Sequence, residues 1–588
     1  MNDKFALRLS YSATQRDGTI RNIRTEQMLN DLNNVGVRGQ LLYAPNEKVE
    51  VLLSADFTRQ RPDGYAQVVA GVTETQRPEF RQFENMIADF NYDLPTRNPF
   101  DRIVDHDGIW KSGQDMGGTA LNVDIDLGPG TLTSTTAWRY WDWMPSNDRD
   151  YTGLPVTTLS QAPSMHHQLS QEVRYSGDIT DKVSGVFGVF AIGQDLKSNP
   201  YHTEEAGSAA WRFRQNNQDP LWQTPGLLDG YGIRTRNELQ SFSGAVFAQV
   251  DWVITEKLKL LPGIRYNTDY KRVEVDRQTY GGLQTEDPQL LALQRSVYND
   301  QAFDAEVREG NFSGQMALAY KISENVNSFA IYSAGFKPVG INLGGLPREN
   351  GRTMTELARV APEYVTHYEV GFKTSPSPSS TFNIVFHNTD IKDYQTVVQV
   401  PDPGIQRGYL ANADQVRVWG VEVDMNVKIR KNLTIYTALA YTDGKYVSFP
   451  NAPVPLEEVG SDIPFRDISG ERLPGISKWA ASILAEYTLP GKFLNEKGDY
   501  FIAVDNYVRS DFSSLASPST VMNVEGYALM NARLGFRVTK GISCFGWARN
   551  LLDQNYFEML LPGGGGNGHY AGVLGDPRTY GATVRYSF

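Results

Sequence analysis

The sequence contains a single cysteine, Cys544, among 588 residues. One cysteine excludes a disulfide framework, a CxxC redox pair and a thiolate cluster that would hold zinc or iron–sulfur. Basic residues are also few, because 56 Lys and Arg stand against 68 Asp and Glu, which gives a formal net charge of −12. Proteins that bind nucleic acids normally carry an excess of Lys and Arg on one face, so this balance argues against that class.

Long apolar runs are absent as well. No stretch reaches the roughly 18 to 20 consecutive apolar residues that a transmembrane helix needs. Residues 1–10 show neither a basic leader followed by an apolar core nor a small-residue cleavage site, so no signal peptide is visible. This start fits a cytoplasmic protein or a chain whose beginning has been removed. Aromatic residues make up 11% of the chain and supply ample material for a folded core.

Signatures of catalysis and of metal binding are missing too. The motifs GxSxG, HExxH and GxxxxGK[ST] do not occur. His166 and His167 are adjacent, and adjacent residues of a strand point to opposite faces, so we expect no shared metal. The glycine run at 563–568 lacks a following Lys-Ser/Thr and predicts a flexible loop. Acidic runs such as 148–150 are expected to be solvated. The sequence therefore predicts no enzyme, no cofactor and no metal site.

The dominant hydrophobic period along the chain is two, in segments of about ten residues, which predicts β-strands with one apolar and one polar face. Segments 381–388 and 420–428 show the pattern best. Their apolar set, expected to face lipid, is Phe382, Ile384, Phe386, Val421, Val423 and Met425. Their polar set, expected to face the lumen, is Glu422, Asp424 and Asn426. Carboxylates cannot face a dry core without several kcal/mol of desolvation cost each, so the polar face must contact water.

The spacing between the strands is asymmetric. Short turns, such as those near 45–48 and 128–130, alternate with long irregular stretches, among them 60–112, 197–237, 396–414 and 553–576. This layout is typical of a transmembrane antiparallel up-and-down β-barrel with short periplasmic turns and long extracellular loops. We predict an all-β fold of about twenty strands that forms one domain over 1–588. A soluble sandwich array or a propeller is the alternative, but a propeller would show a repeat of roughly 40 to 50 residues, and aromatic residues crowd the strand ends, as an interfacial girdle requires.

Four motifs resemble those of the barrel of TonB-dependent outer-membrane receptors, and they occur in the usual order of that family. They are 332–342 (YSAGFKPVGIN), 362–363 (PE) followed by 368–373 (YEVGFK), 420–422 (GVE), and 550–553 (NLLD) leading to Tyr556. The last segment, 577–588, alternates without interruption and ends on Phe588. It resembles the C-terminal signature of outer-membrane barrels, in which the terminal aromatic residue is an assembly signal.

The resemblance implies a receptor in the bacterial outer membrane for the uptake of a scarce nutrient. In the family, ligand binds at the extracellular loops and is admitted when the TonB complex pulls on a plug domain. A ferric siderophore is the commonest substrate, and cobalamin, haem, oligosaccharides and aromatic compounds are alternatives. A passive porin-like channel is a rival interpretation, because it needs no plug, although porins lack the ordered motifs.

The chain departs from the family at its beginning. Family members carry a signal peptide, a TonB-contacting box and a plug ahead of a 22-stranded barrel. The segment beginning at Lys4 resembles the third strand of that barrel, so the chain is expected to be an N-terminally truncated barrel without a plug. We expect its first and last strands to meet directly in a smaller barrel, and we expect at most a leaky pore that does not depend on TonB.

Aromatic and basic side chains cluster in the predicted loops and at one strand end. Such pairs suit an anionic, aryl-bearing ligand such as a ferric siderophore, through charge pairing and cation–π contact. The candidate binding residues are Arg139, Trp141, Tyr201, Trp211, Arg212 and Arg214. The alternative is that the rings only hold a long loop onto its neighbours.

Overall fold

The computed structural model describes residues 4–214, 220–349, 352–399, 408–462, 465–493 and 495–587. Phe588, the predicted assembly signal, lies outside these residues. Within them, the helices are too short and too polar to cross a membrane.

Twenty long antiparallel strands dominate the fold. Their lengths range from 9 to 24 residues. They are Phe5–Arg16, Leu32–Asn46, Val49–Gln60, Lys111–Asp126, Gly130–Ser146, Ser164–Thr180, Val183–Ser198, Gly232–Thr255, Leu258–Tyr280, Gln301–Ser323, Val326–Lys337, Glu363–Ser377, Ser380–Gln399, Gly408–Arg430, Leu433–Ser448, Trp479–Phe493, Glu496–Arg509, Tyr527–Arg537, Gly541–Arg549 and Thr579–Ser587.

Each long strand pairs with the next one along the chain, so the topology is the predicted up-and-down meander. Two short strands, Thr157–Gln161 and His202–Ala206, extend the same sheet at the loop end and bring it to 22 strands. The prediction of about twenty strands is confirmed for the long ones. The strand ends Asn46 and Val49, like Asp126 and Gly130, confirm two of the predicted short turns.

The connections at the other end carry all the remaining elements of the described residues. The α-helices are Phe83–Ala88, Ala210–Arg214 and Pro288–Val297, and the 3-10 helices are Glu79–Arg81, Pro99–Asp101, Pro220–Gln223, Thr355–Ala358, Leu456–Glu458 and Gly564–Gly566. The short strands are Ile20–Asn22, Met28–Leu29, Val68–Val72, Ile103–Val104, Gly340–Ile341, Arg348–Glu349, Arg352–Thr353, Arg359–Val360, Ala452–Pro453, Phe465–Arg466, Phe512–Ser513, Asn523–Val524, Phe557–Pro562 and His569–Leu574.

The prediction of an irregular stretch at 396–414 is wrong for the described residues of that stretch, which are β-strand. The strand Ser380–Gln399 continues to residue 399 and its partner resumes at residue 408, so the hairpin is longer than the hydrophobic pattern indicates. Polar and proline residues around 401–404 interrupt the alternation, and residues 400–407 lie outside the described part. The ladder extends because backbone hydrogen bonds, which do not depend on side-chain polarity, hold it together.

The register of the central hairpin confirms the predicted faces. Ile384 lies opposite Val423 on the apolar face. Asn383 lies opposite Asp424 on the polar face, and the Asn383 Nδ2 donates to the Asp424 Oδ2 at 2.7 Å. Since successive side chains of a strand alternate, Glu422 and Val423 point to opposite faces.

Replacing Ile384 with arginine is expected to lower the free energy of folding into lipid by about 2 to 4 kcal/mol, the cost of a guanidinium on the lipid face. Urea titration of the barrel in vesicles would measure it. The matched control is Asn383→Arg, one residue away on the polar face, where the new side chain meets Asp424. Equal costs for the two variants would contradict the assignment of faces.

The first and last long strands do not meet, so the expected direct closure is wrong. Among the described residues, Phe5–Arg16 pairs only with Leu32–Asn46, and Thr579–Ser587 pairs only with Gly541–Arg549. We call the gap between these two edges the seam. Strand number, tilt and stagger are linked in a barrel, so direct pairing across the seam would shift the register of the other hairpins.

Candidate functional site

Three side chains of the strand Gly130–Ser146 line its polar face at the loop end. Arg139, Trp141 and Trp143 are spaced by two, so they point the same way. The Arg139 Nη1 lies 2.6 Å from the Asp56 Oδ1. The Trp141 Nε1 donates to the Gln114 Oε1 at 2.7 Å, and the Trp141 and Trp143 rings stack with centroids 5.2 Å apart. Two of the predicted binding residues therefore lie on the inner wall, with Trp141 held by the adjacent strand Lys111–Asp126 and Arg139 by the strand beyond it, Val49–Gln60.

Trp143 opens onto a cavity of about 550 Å³ that lies between this wall and the loops. Its volume falls within the range of small-molecule sites, which is roughly 300 to 1,000 Å³. The chemistry of its lining is aromatic and basic. The lining side chains with rings or charge are Tyr65, Trp110, Lys111, Trp143, Arg149, Tyr151, His202 and Glu204.

The electrostatics of the cavity favour an anionic ligand. The Arg149 Nη1 lies 3.0 Å from the Glu204 Oε1, and that carboxylate raises the pKa of Arg149. Burial lowers the pKa of His202, whose Nε2 lies 3.1 Å from the Ser164 Oγ, so the imidazole is neutral at pH 7. With Arg149 partly neutralised by Glu204, Lys111 supplies the remaining positive charge.

Tyr201 is next to the cavity in sequence but does not line it. It precedes His202, and the residue is 43% exposed. Sequence reasoning overlooked most of the lining, including Trp110, Lys111 and Arg149. The aromatic and basic composition of segment 110–111 was an available signal, but only the fold brings it opposite Trp143.

The other predicted binding residues lie away from the cavity, in the helix Ala210–Arg214. The Trp211 ring stacks on Trp222 with centroids 3.9 Å apart. The Arg212 side chain is buried, and its Nε donates to the Asp89 Oδ2 at 2.5 Å. The side chain of Arg214 lies outside the described part of the chain. These contacts hold one loop onto its neighbours, which is the alternative that the sequence left open.

Four connections pack together above the cavity, and we call them the loop cap: 61–110, 147–163, 199–231 and 550–578. Arg81 is fully buried in connection 61–110. Its guanidinium donates to the Arg212 and Phe213 carbonyls of connection 199–231 and to the Asn567 Oδ1 of connection 550–578, so it holds the three connections together. Burial and the nearby Arg77 and Arg212 lower the pKa of Arg81 to about 9.

The glycine run 563–568 belongs to this cap, so the predicted flexible loop is wrong. Asn567 and His569 have no exposed surface, and the His569 ring stacks on Phe83 with centroids 4.4 Å apart. Gly568 has φ of +102°, and a Cβ there would lie 2.0 Å from the Thr73 carbonyl oxygen. The glycines allow the backbone to approach its neighbours closely, which is why the segment is packed.

The acidic run 148–150 is also buried, contrary to the prediction of a solvated face. The Asp148 carboxylate accepts backbone N–H groups from Gly108, Asp150 and Tyr151. Burial raises the pKa of Asp148 to about 6, and burial together with the Asp148 charge raises the pKa of Asp107 to about 7. Across the described ranges, no three His, Cys, Asp or Glu side chains are grouped to hold a metal ion.

The raised pKa of Asp107 makes the stability of the cap depend on pH. The folded cap retains a proton that the unfolded chain releases near pH 4, so stability falls as the pH rises from about 4 to about 7. We expect Asp107→Asn to flatten this dependence. The thermal midpoint of the cap, followed by tryptophan fluorescence between pH 4 and 8, would show it. Asp93→Asn, an exposed position of the same loop, is the control, and an unchanged slope for Asp107→Asn would refute the assignment.

A meander of long amphipathic strands, capped at one end by packed loops over a small-molecule cavity, is the architecture of an outer-membrane transporter. The family model described as TonB dependent receptor-like, beta-barrel, matches residues 53–551. The chain belongs to this family. It is therefore an outer-membrane protein of a transporter family, not an enzyme.

Solved structures share the fold at low identity. The ferric yersiniabactin uptake receptor FyuA from Yersinia pestis is 14% identical, with a TM-score of 0.74 over 100% of this chain and 76% of that one. The ferric-catecholate import receptor Fiu from E. coli K12 is 15% identical, with a TM-score of 0.66 over 99% and 78%. The copper transporter OprC is 14% identical, with a TM-score of 0.63 over 100% and 76%. At identities this low, the similarity shows a shared fold and nothing about the ligand.

Proposed function

We propose that this barrel receives a ferric siderophore in the cavity that Trp143 lines. The observation that carries the proposal is the combination of stacked indole rings with Lys111 and Arg149 at the mouth of the barrel. Aromatic faces bind the aryl groups of a siderophore by stacking, and cationic side chains balance the negative charge of its ferric complex. Arg139 and Trp141, deeper on the same wall, would contact the ligand next.

The comparisons support this substrate class without selecting it. FyuA is an uptake receptor for ferric yersiniabactin and Fiu is an import receptor for ferric-catecholate, whereas OprC is a copper transporter. Uptake would be energised by the TonB complex, which in this family acts through a plug domain. The barrel described here contributes the outer cavity and the wall along which the ligand moves.

A fluorescence titration tests the substrate class. The refolded barrel in detergent would be titrated with a ferric catecholate, a ferric hydroxamate, cobalamin, haem, maltohexaose and Cu²⁺. We expect the ferric catecholate to quench tryptophan emission saturably, because three indoles lie in or beside the cavity. Saturable binding of cobalamin, haem, the oligosaccharide or Cu²⁺ alone would refute the proposal.

A passive channel is the second candidate, and the exposure of the polar inner face favours it. The Glu422 side chain is 63% exposed, and Asp424 lies two residues further along the same face. Such a wall would pass small cations. Planar-bilayer recordings would show steady, cation-selective conductance in that case, and conductance that ferric catecholate blocks would fit a receptor instead.

A further inference from the structure

We propose that the loop cap holds a second binding site, which takes a small organic cation. The site is a cavity of about 510 Å³ that is bounded by the strand Val68–Val72 and the helix Phe83–Ala88. This volume is within the range of roughly 300 to 1,000 Å³ that small-molecule sites occupy. The cavity shares no lining residue with the one that Trp143 lines, so the two sites are separate.

The floor of the second cavity is apolar and already in place. Phe83 is 1% exposed, and Val72 and Leu94 pack against the buried cluster to which it belongs. Beside the floor, the Gln82 amide nitrogen donates to the Thr75 carbonyl, and its amide oxygen accepts from the Thr75 backbone N–H, both at 3.0 Å. Burial of an apolar ligand body against such a preformed floor is favourable.

The mouth of the cavity is acidic. The carboxylates of Glu74, Glu79 and Glu84 line it, and all three residues are exposed. Arg97 lies opposite and donates to both oxygens of Glu84, at 2.7 and 3.0 Å. These hydrogen bonds lower the pKa of Glu84 and raise the pKa of Arg97. Within the described residues, Glu74 and Glu79 form no salt bridge, so three carboxylates against one guanidinium leave the mouth with a net charge of −2.

Charge and shape together define the chemical class of the ligand. A carboxylate at the edge of an apolar floor attracts a cation more strongly than one in bulk water, because the floor lowers the local dielectric constant. An ammonium or amidinium group on an apolar body suits both parts of the cavity, since its charge meets Glu74 and Glu79 while its body covers Phe83. The same carboxylates repel an anion. The cap therefore offers a site for a cation whichever ligand the cavity at Trp143 binds.

Equilibrium dialysis of the refolded barrel in detergent against three matched compounds tests the proposal. They are para-aminobenzamidine, para-aminobenzamide and para-aminobenzoate, which share one ring and are cationic, neutral and anionic at pH 7. We expect the amidine to bind at a single site, at least tenfold more tightly than the amide. Its affinity is expected to stay the same when ferric catecholate is present in excess, whether or not the catecholate binds.

Charge variants at the mouth locate the bound amidine. Glu74→Gln and Glu79→Gln are each expected to weaken its binding about threefold to tenfold. Glu286→Gln, an exposed carboxylate outside the cap, is the control and is expected to leave the affinity unchanged. In the double variant Glu74→Lys/Glu79→Lys, we expect loss of the amidine and at least tenfold tighter binding of para-aminobenzoate than in the unaltered protein. Unfolding does not produce such a gain.

Three results would overturn the proposal. Equal affinities for the amidine and the amide would mean adsorption to apolar surface without selection for charge. Displacement of the amidine by ferric catecholate would place both compounds in the cavity at Trp143. Amidine binding that is the same in the Glu74 and Glu79 variants as in Glu286→Gln would place the cation elsewhere on the protein.

Discussion

Replacing Arg81 with methionine is expected to open the loop cap while the barrel remains folded. The methionine fills much of the volume but donates no hydrogen bond, so the Arg212 carbonyl and the Asn567 Oδ1 lose their donor, whereas the Phe213 carbonyl keeps a hydrogen bond from the Asn567 Nδ2. A buried acceptor left without a donor costs about 1 to 3 kcal/mol. We therefore expect a loss of about 3 kcal/mol or more in the cap, and at least a hundredfold faster proteolysis within 61–110 and 199–231.

The control for this prediction is Arg97→Met in the same loop. Arg97 pairs with Glu84 at 2.7 Å, but both side chains are about half exposed, so the pair contributes at most about 1 kcal/mol. Heat-modifiable gel mobility would report whether the barrel remains intact. If Arg81→Met and Arg97→Met are cleaved at the same rate, Arg81 does not anchor the cap.

Replacing Trp143 with alanine is expected to weaken binding of a ferric catecholate about tenfold to a hundredfold. The variant removes the ring that both lines the cavity and stacks on Trp141. Loss of a buried aromatic contact is worth about 1.5 to 3 kcal/mol, which corresponds to that range of affinity. Isothermal titration calorimetry measures it without relying on tryptophan emission.

Trp138→Ala is the matched control for this variant. Trp138 belongs to the same strand but lies on the apolar outer face, where it is 40% exposed and stacks on Tyr140. We expect its affinity to match that of the unaltered protein. Equal losses for the two variants would indicate a general effect on the strand and would contradict a binding role for Trp143.

The strands were predictable because one physical signal dominates them. A wall with lipid on one side and water on the other imposes strict alternation, as between Ile384 and Asn383, and register then follows from the short turns. Hydrogen bonding can extend a ladder past the end of that alternation, as at 396–399 and 408–414, where the hydrophobic pattern gives no warning.

The loop cap was not predictable, because its contacts join residues far apart in the sequence. Arg81 and Asn567 meet although 486 residues separate them, and the sequence around neither residue indicates its partner. The acidic run 148–150 has the composition of a solvated loop, and the burial of Asp148 and Asp150 depends on backbone N–H groups and on the Thr152 hydroxyl, which the fold supplies. For the same reason, composition alone groups Trp211 with Trp141 as binding residues. In the structure, Trp211 packs within the loop cap, whereas Trp141 lies on the barrel wall.

Direct observation of iron tests whether the loop-end cavity of this barrel binds a ferric siderophore. Crystals of the protein grown with a ferric catecholate would be measured at the iron absorption edge to locate the metal by its anomalous signal. We expect one iron peak inside the cavity bounded by Trp143, Lys111 and Arg149. An iron peak only at the outer surface of the loop cap, or only beside Glu422 and Asp424 on the barrel wall, would contradict it.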